Sequence, residues 1–443
     1  MAQIQVLLEF TQEQENGFTS FEIGASSPRE RVAQAERLAA DLPAEGVDFT
    51  GIEPPIPMFS ADVVMGLTES TGFASFGAPG ENPDVPASST VVPALVDEDR
   101  LEALAARRNV RVWTNSVLTL FPPVAPDCRP FRPAATIDEV REALGVELMW
   151  LAGGGRGKGV AVAILDEGFS KAHYPVAGGF ALAGAQQPGD APVTSHGSMC
   201  AADVQVAAPE AELFDYPFLG VPRSGGALRM FQAVLDERRR TGRPHVANNS
   251  YGFVGVPPQA QAGNHEIWDL NHPLHRKVCE VVASGVTVLF AAGNCGEPCP
   301  SGNCHVSGIG PGRSVHASNS LRQVISVAAV NTTGNRIGYS SQGPGMFETR
   351  KPDLASFSHF FGNFGPGRPA GTSDQAFDSG TSAATPVAAG VVAALVSLAP
   401  SITPTAVRKA LLASAGSTTW NRDTGYGIMH AGRAWEAVQA MLT

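Results

Sequence analysis

From residue 159 onward, short strand-like runs, the clearest of them unbroken apolar, alternate with stretches whose apolar residues recur every three or four positions. The runs are GVAVAILD (159–166), AELFDYPFL (211–219), HVANNSYG (245–252), VTVLFAAGN (286–294) and VISVAAV (324–330). Between and after them lie HGSMCAADVQVA (196–207), GALRMFQAVLDERRR (226–240), HPLHRKVCEVVASG (272–285), residues 382–398 and TPTAVRKALLASA (403–415). An unbroken apolar run of this length fits a strand buried on both faces, and the three-to-four period fits a helix with one buried face. Their alternation predicts a mainly parallel sheet covered by helices on both sides, an α/β domain. In open sheets of that kind, functional groups gather at the carboxyl ends of the strands.

The first 124 residues are patterned differently. IQVLLEF (4–10), STVVPALV (89–96) and NVRVWTNSVLTLF (109–121, one strand or a pair) read as strands. SSPRERVAQAERLAADL (26–42) reads as a helix with Val32, Ala35, Ala39 and Leu42 on one face, and DEDRLEALAARR (97–108) as a second, acidic at its start and basic at its end, which suits the macrodipole. Residues 65–88, rich in Gly, Pro and Ser, read as a long loop. The expectation is a small α+β domain over 1–124, a proline-rich linker over 125–136 and the α/β domain over 137–443.

Composition narrows the partners. Of 443 residues, 43% are hydrophobic and 16% charged, enough apolar material for a large core. The net charge of -11 argues against a nucleic-acid footprint, which needs clustered Lys and Arg. The longest apolar candidate, 386–398, falls short of the roughly 20 residues that cross a bilayer, so no membrane partner is expected. The N-terminal MAQIQVLLEFTQEQ has no basic leader, and a cytoplasmic location is expected. In that compartment the six cysteines are expected as thiols. Cys200 and Cys279 fall on amphipathic helices as small buried hydrophobes, while Cys295, Cys299 and Cys304 leave a local disulfide or, with His305, a zinc site as alternatives.

The candidate chemistry sits at the predicted strand ends. Asp166 ends one run, His196 opens a helix, Asn294 ends another run, and Ser382 stands at the start of the long apolar helix. Ser382 alone suits a helix cap. A serine hydroxyl is also a nucleophile once a base takes its proton, and His196 oriented by Asp166 supplies one. The Asn294 amide can donate to the oxyanion of a tetrahedral intermediate.

The chain order Asp, His, Ser is that of subtilisin, and AVAILDEGF, SHGSMCAAD, FAAGN and SGTSAATPVAAG resemble the four motifs of the subtilisin-like serine proteases. NNSYG resembles that family's substrate-pairing strand, and DTGYGIMHAGRA its closing segment. The resemblance, over about residues 137–438, implies a subtilisin-like three-layer domain. It also implies a serine endopeptidase with Asp166, His196 and Ser382 as triad, Asn294 as oxyanion donor, and Ser250, Tyr251 and Gly252 as substrate-binding residues. Residues 1–124 resemble the ferredoxin-like prodomain that inhibits such enzymes, so the expected partners are a peptide or protein substrate and the chain's own N-terminal domain. The same fold also serves transpeptidases or macrocyclases, and a catalytically silent peptide-binding relative is the reading from outside the enzymes.

Two departures stand out. Glu167 follows the triad acid, as in the kexin-like branch, which implies attraction for a basic residue second before the scissile bond (P2). The loop that builds the family's strong calcium site is missing after 196–207, so no cofactor is expected to be required and calcium is possible only at other sites.

Overall fold

A computed structural model of the chain describes residues 2–11, 46–49, 55–58, 89–120, 134–182, 184–218, 223–258, 264–370 and 376–442. The helix expected over 26–42, the loop over 65–88 and residues 125–133 of the expected linker 125–136 lie outside the described residues.

The N-terminal part is an antiparallel sheet. β1 (Gln3–Thr11) lies between β4 (Ser89–Asp97) and β5 (Val110–Thr114). β2 (Val47–Asp48) and β3 (Ile56–Met58) pair along β4. Of the helix expected over 97–108, only Leu101–Ala105 is α-helical (α1), after a 3-10 turn at Glu98–Arg100. Side chains alternate across the sheet as a strand requires. Val6, Leu8 and Phe10 pack with Leu104 of α1, whereas Leu7 of β1 faces the opposite way into the large domain's core. β6 (Thr119–Leu120) then leaves this sheet, so NVRVWTNSVLTLF is a pair of strands with separate partners.

The large domain begins with the short helices α2 (Ile137–Leu144) and α3 (Val146–Leu151). It then alternates through β7 (Ala161–Asp166), β8 (Val176–Gly179), α4 (His196–Ala207), β9 (Glu212–Pro217), α5 (Ser224–Thr241), β10 (Val246–Asn249), β11 (Tyr251–Gly252), α6 (Pro273–Ala283) and β12 (Thr287–Ala291). β13 (Ile325–Val330), β14 (Leu354–Phe357), α7 (Thr381–Leu398) and α8 (Pro404–Ser414) follow. The strand order is β14-β13-β12-β10-β7-β9-β8, and every pairing is parallel. β8 and β14, each of four residues, were not expected, because four residues with glycine or serine carry little apolar pattern. A hairpin, β15 (Gly416–Asn421) with β16 (Gly425–Gly427), leads to the closing helix α9 (Ala431–Leu442).

Alternation along β7 shows why the run is unbroken. Ala161, Ala163 and Leu165 face the core under α5 and α6, while Val162 and Ile164 face the core under α4 and α7. Helix α7 is buried almost all round, as a helix at the centre of a large core must be. It spans 18 residues, longer than the apolar stretch read from sequence, and by composition it is long enough to cross a membrane, yet 89% of it is buried in this protein. Gly390 lets it close on α4, since a Cβ there would lie 2.3 Å from the Val204 carbonyl oxygen.

The N-terminal sheet docks on α5 and α6. Leu7, Ile56, Met58, Val91 and Trp113 share one core with residues of both helices. Within that contact, buried Glu9 accepts from Trp113 Nε1 at 2.7 Å and from Arg276 Nη2 of α6 at 2.5 Å. Lys277 donates to the Pro57 carbonyl at 2.7 Å. Buried Glu266 accepts from the Ser116 amide and hydroxyl, each at 2.9 Å, and Asn115 Oδ1 accepts from the Gly225 amide at 2.9 Å. These bonds fix residues 114–116 and aim the chain into β6.

Cys200 and Cys279 are buried thiols, as expected. Cys295 and Cys304 are bridged to each other, which corrects the expectation of thiols there and removes both from any zinc site. Nine positions apart in a Gly- and Pro-rich turn, they approach by a chain reversal that residue spacing alone does not reveal.

Candidate active site

The carboxyl end of β7 delivers Asp166, fully buried, to the N-terminus of α4. His196 is the first residue of that helix, after Ser195, whose hydroxyl accepts from the Ser198 amide as N-cap. His196 Nδ1 lies 2.9 Å from Asp166 Oδ1 and 3.0 Å from Oδ2. The carboxylate also accepts from the Glu167 amide at 2.8 Å, which holds its plane toward the ring.

Ser382 is the second residue of α7, and the N-cap is Gly380, so the serine is not a cap. Its hydroxyl donates to the Ser250 carbonyl at 3.3 Å. Its own carbonyl is released from the helix ladder because Pro386, four residues on, has no N–H to give. That oxygen accepts instead from Ser250 Oγ at 3.3 Å and faces Cys200 Sγ at 3.7 Å. Cys200, one turn after His196, also lies 3.7 Å from Asp166 Oδ2. One buried thiol thus touches both the acid–imidazole pair and the serine's backbone. Burial first, and then the Asp166 charge, push this thiol well above its ordinary range, so it stays protonated and donates.

Asn294 follows β12 and is buried. Its Oδ1 accepts from Thr381 N and Thr381 Oγ1, both at 2.9 Å, and Thr381 Oγ1 accepts in turn from Gly293 N at 3.1 Å. An acceptor bound to a backbone N–H must be the amide oxygen, so the side chain's NH₂ end is oriented by its surroundings. Thr381 was not singled out by sequence reasoning, although it lies inside the SGTSAATP motif.

HVANNSYG is two strands. β10 stays in the large sheet, and β11 turns out to pair antiparallel with β6, Tyr251 opposite Leu120 and Gly252 opposite Thr119. Leu118, just before, is buried in the core it shares with Phe231, Tyr251, Phe253, Leu274 and Phe290. From the disulfide loop, Asn303 Nδ2 reaches the Leu120 carbonyl at 3.5 Å. Glu167 is half-buried, and its carboxylate accepts from the His196 amide at the start of α4. Burial first, then Asp166, raise its carboxyl from the usual range.

Among the described residues, Asp166, His196 and Cys200 are the one cluster whose ligand atoms could meet at a metal, all within 4.8 Å of one another. His196 Nδ1 already faces both Asp166 oxygens at hydrogen-bond distance, so these donors are spent on each other. Only residues 208–211 separate α4 from β9.

A parallel α/β sheet that brings acid, imidazole and hydroxyl to its carboxyl edge is the layout of a serine peptidase. The chain belongs to the subtilase family, whose profile matches residues 157–427. Comparison with curated proteins finds no match. Among solved structures the chain is similar to fervidolysin from Fervidobacterium pennivorans, described as a keratinolytic enzyme related to subtilisin. The TM-score is 0.59 at 17% identity, over 98% of this chain and 61% of that one. The chain therefore spans about three fifths of that structure's length, and the likeness extends through the N-terminal sheet. The fold is subtilisin-like.

Proposed function

We propose that this chain is a serine endopeptidase in which Ser382 attacks the scissile carbonyl, His196 takes and returns the proton, Asp166 holds the imidazole, and Asn294 donates to the oxyanion. The observation that carries the reading is the meeting of the Asp166–His196 pair with the Ser382 backbone across Cys200 and Ser250. A hydrogen-bonded carboxylate fixes the tautomer with the proton on Nδ1, leaving Nε2 as base. Water then hydrolyses the acyl-enzyme, and no cofactor enters these steps. The test is a peptide library incubated with the chain freed of its N-terminal domain, read by mass spectrometry. Ligated or cyclised products in place of hydrolysed ones indicate a transpeptidase, and no products at all indicate a silent binder.

In this reading residues 1–124 inhibit the enzyme. β6 adds a strand to β11 as an extended peptide would, with main-chain bonds for affinity and the apolar core around Leu118 for a side chain. Added in excess to refolded, active residues 125–443, residues 1–124 are expected to block cleavage. Glu9→Ala in the added domain should weaken that inhibition by about 10²-fold or more, because the buried Arg276 guanidinium would lose the carboxylate it meets across the interface. An active catalytic domain indifferent to the added residues would count against the assignment.

Glu167 faces the start of α4 beside the imidazole, and its carboxylate is engaged with the His196 amide. We therefore expect only a few-fold kcat/KM preference for Arg over Glu at P2, the scale of a partly exposed pair. The preference should shrink in high salt and in Glu167→Gln. Equal cleavage of matched Arg and Glu peptides by the wild type removes Glu167 from substrate selection.

A further inference from the structure

Two buried carboxylates outside the triad face each other. Asp203 lies on α4, seven residues after His196, and Asp378 lies four residues before Ser382; both are fully buried. Gly362 gauges how near they are: a Cβ built there would lie 2.0 Å from Asp378 Oδ2 and 2.6 Å from Asp203 Oδ1, so those oxygens are at most 4.6 Å apart (2.0 + 2.6). The two are otherwise unlike. Asp378 Oδ2 accepts from the Asn363 amide at 2.5 Å and Oδ1 from the Phe364 amide at 2.7 Å. Neither oxygen of Asp203 accepts from an N–H or hydroxyl donor among the described residues. The other titratable or charged groups facing the pair are Tyr174, Cys200 and Arg368, and none of them forms an ion pair with either acid at salt-bridge distance among the described residues.

Two full charges this close and this dry do not coexist, and such pairs keep one proton between them. A hard cation would need about six oxygen ligands, whereas Asp378 already spends both oxygens on backbone donors. Those donors favour the charge on Asp378, which leaves the proton on Asp203. Burial first, and then the charge of Asp378, hold the Asp203 carboxyl well above the usual range, in agreement with that placement.

The pair spans the two helices that matter most. Asp378 exchanges main-chain bonds with Phe360, its carbonyl also accepts from the His359 amide at 3.0 Å, and two residues later Gly380 caps α7. We propose that Asp203 and Asp378 share one proton and act as positioning residues, latching the segment that enters α7 onto α4, so that Ser382 keeps its place relative to His196 and loss of this proton sets the alkaline limit of activity. The clause on activity rests on the proposed function; the latch itself does not.

Asp203→Asn supplies a permanent N–H in place of the shared proton and is the informative variant. The infrared difference spectrum of wild type against Asp203→Asn at neutral pH should show a protonated-carboxyl C=O band in the wild type. A folded chain that holds a proton the unfolded chain has released loses stability as pH rises. The wild-type folding constant should therefore fall relative to the variant by about tenfold per pH unit, from the ordinary Asp range near 3.9 up to the dyad's own ionisation. In peptide assays kcat of the wild type should drop at alkaline pH, with KM little changed, while that of the variant persists to higher pH. The absence of a carboxyl band, or pH profiles that coincide, overturns the proposal. So does a wild type whose stability answers to added sodium or calcium instead of to pH, since the pair would then hold a cation. Should the variant fail to fold, titration of the wild-type carboxyl band decides alone. Because the band and the stability profile require no activity, they separate failure of the latch from failure of the peptidase reading.

Discussion

Ser382→Ala is expected to lower kcat by about 10⁶, the scale on which a nucleophile and its base act as one unit. The fold should survive. Gly380, not Ser382, caps α7, and the serine hydroxyl's bond to the Ser250 carbonyl is a long one at 3.3 Å. Stability should change by no more than about 1.5 kcal/mol, the ordinary worth of one neutral hydrogen bond. His196→Ala should cost a similar factor, and the double variant should be no slower than either single one, because the two residues serve one step. Single-turnover assays on the chain freed of its N-terminal domain measure all three. Multiplicative losses in the double variant would mean that the residues act in separate steps, and full activity in a folded Ser382→Ala would end the serine mechanism.

The second large effect belongs to Asn294. Asn294→Ala should lower kcat by about 10²–10³ with KM nearly unchanged, since the amide donates to a charge that exists only near the transition state. This substitution also strips Thr381 of its acceptor at the start of α7, so some stability is lost with it. Asn294→Asp separates the two effects. It keeps an oxygen for Thr381 but loses the NH₂ donor and adds a charge that repels the oxyanion. Its kcat should fall at least as far as in the alanine variant while its melting temperature stays closer to wild type. A loss confined to KM in either variant would place Asn294 in ground-state binding.

The parts legible in the sequence were those whose cause is local. An unbroken run such as AVAILD reports burial on both faces of β7, and the positions of Asp166 at the end of that run and of His196 and Ser382 at the starts of helices follow from periodicity. The rest depends on what arrives from far along the chain. That Asn294 is oriented by Thr381, 87 positions away, is invisible to any local pattern. The same holds for Glu9 meeting Arg276, and for Asp203 meeting Asp378, whose members look like ordinary solvated acids in sequence. Glu167 was read for its charge alone, and its acceptor role toward the His196 amide becomes visible only once α4 is in place. The turning of β11 out of the large sheet leaves no trace in the apolar count of HVANNSYG, because both segments are buried.

The docking of the N-terminal sheet has a kinetic side. Leu7, Met58 and Trp113 share a core with α5 and α6, and Glu9 answers the charge of Arg276 inside it. Cutting the chain between the two bodies would change none of these contacts. Separation would still have to bring apolar surface and a buried guanidinium into water together, so the severed pair should part slowly and rejoin readily while both pieces are intact. Destruction of the freed N-terminal piece would remove the return path. If the N-terminal domain inhibits as proposed, such a device would behave as a timer wound during folding, with a delay set by how often the interface opens rather than by when the chain is cut.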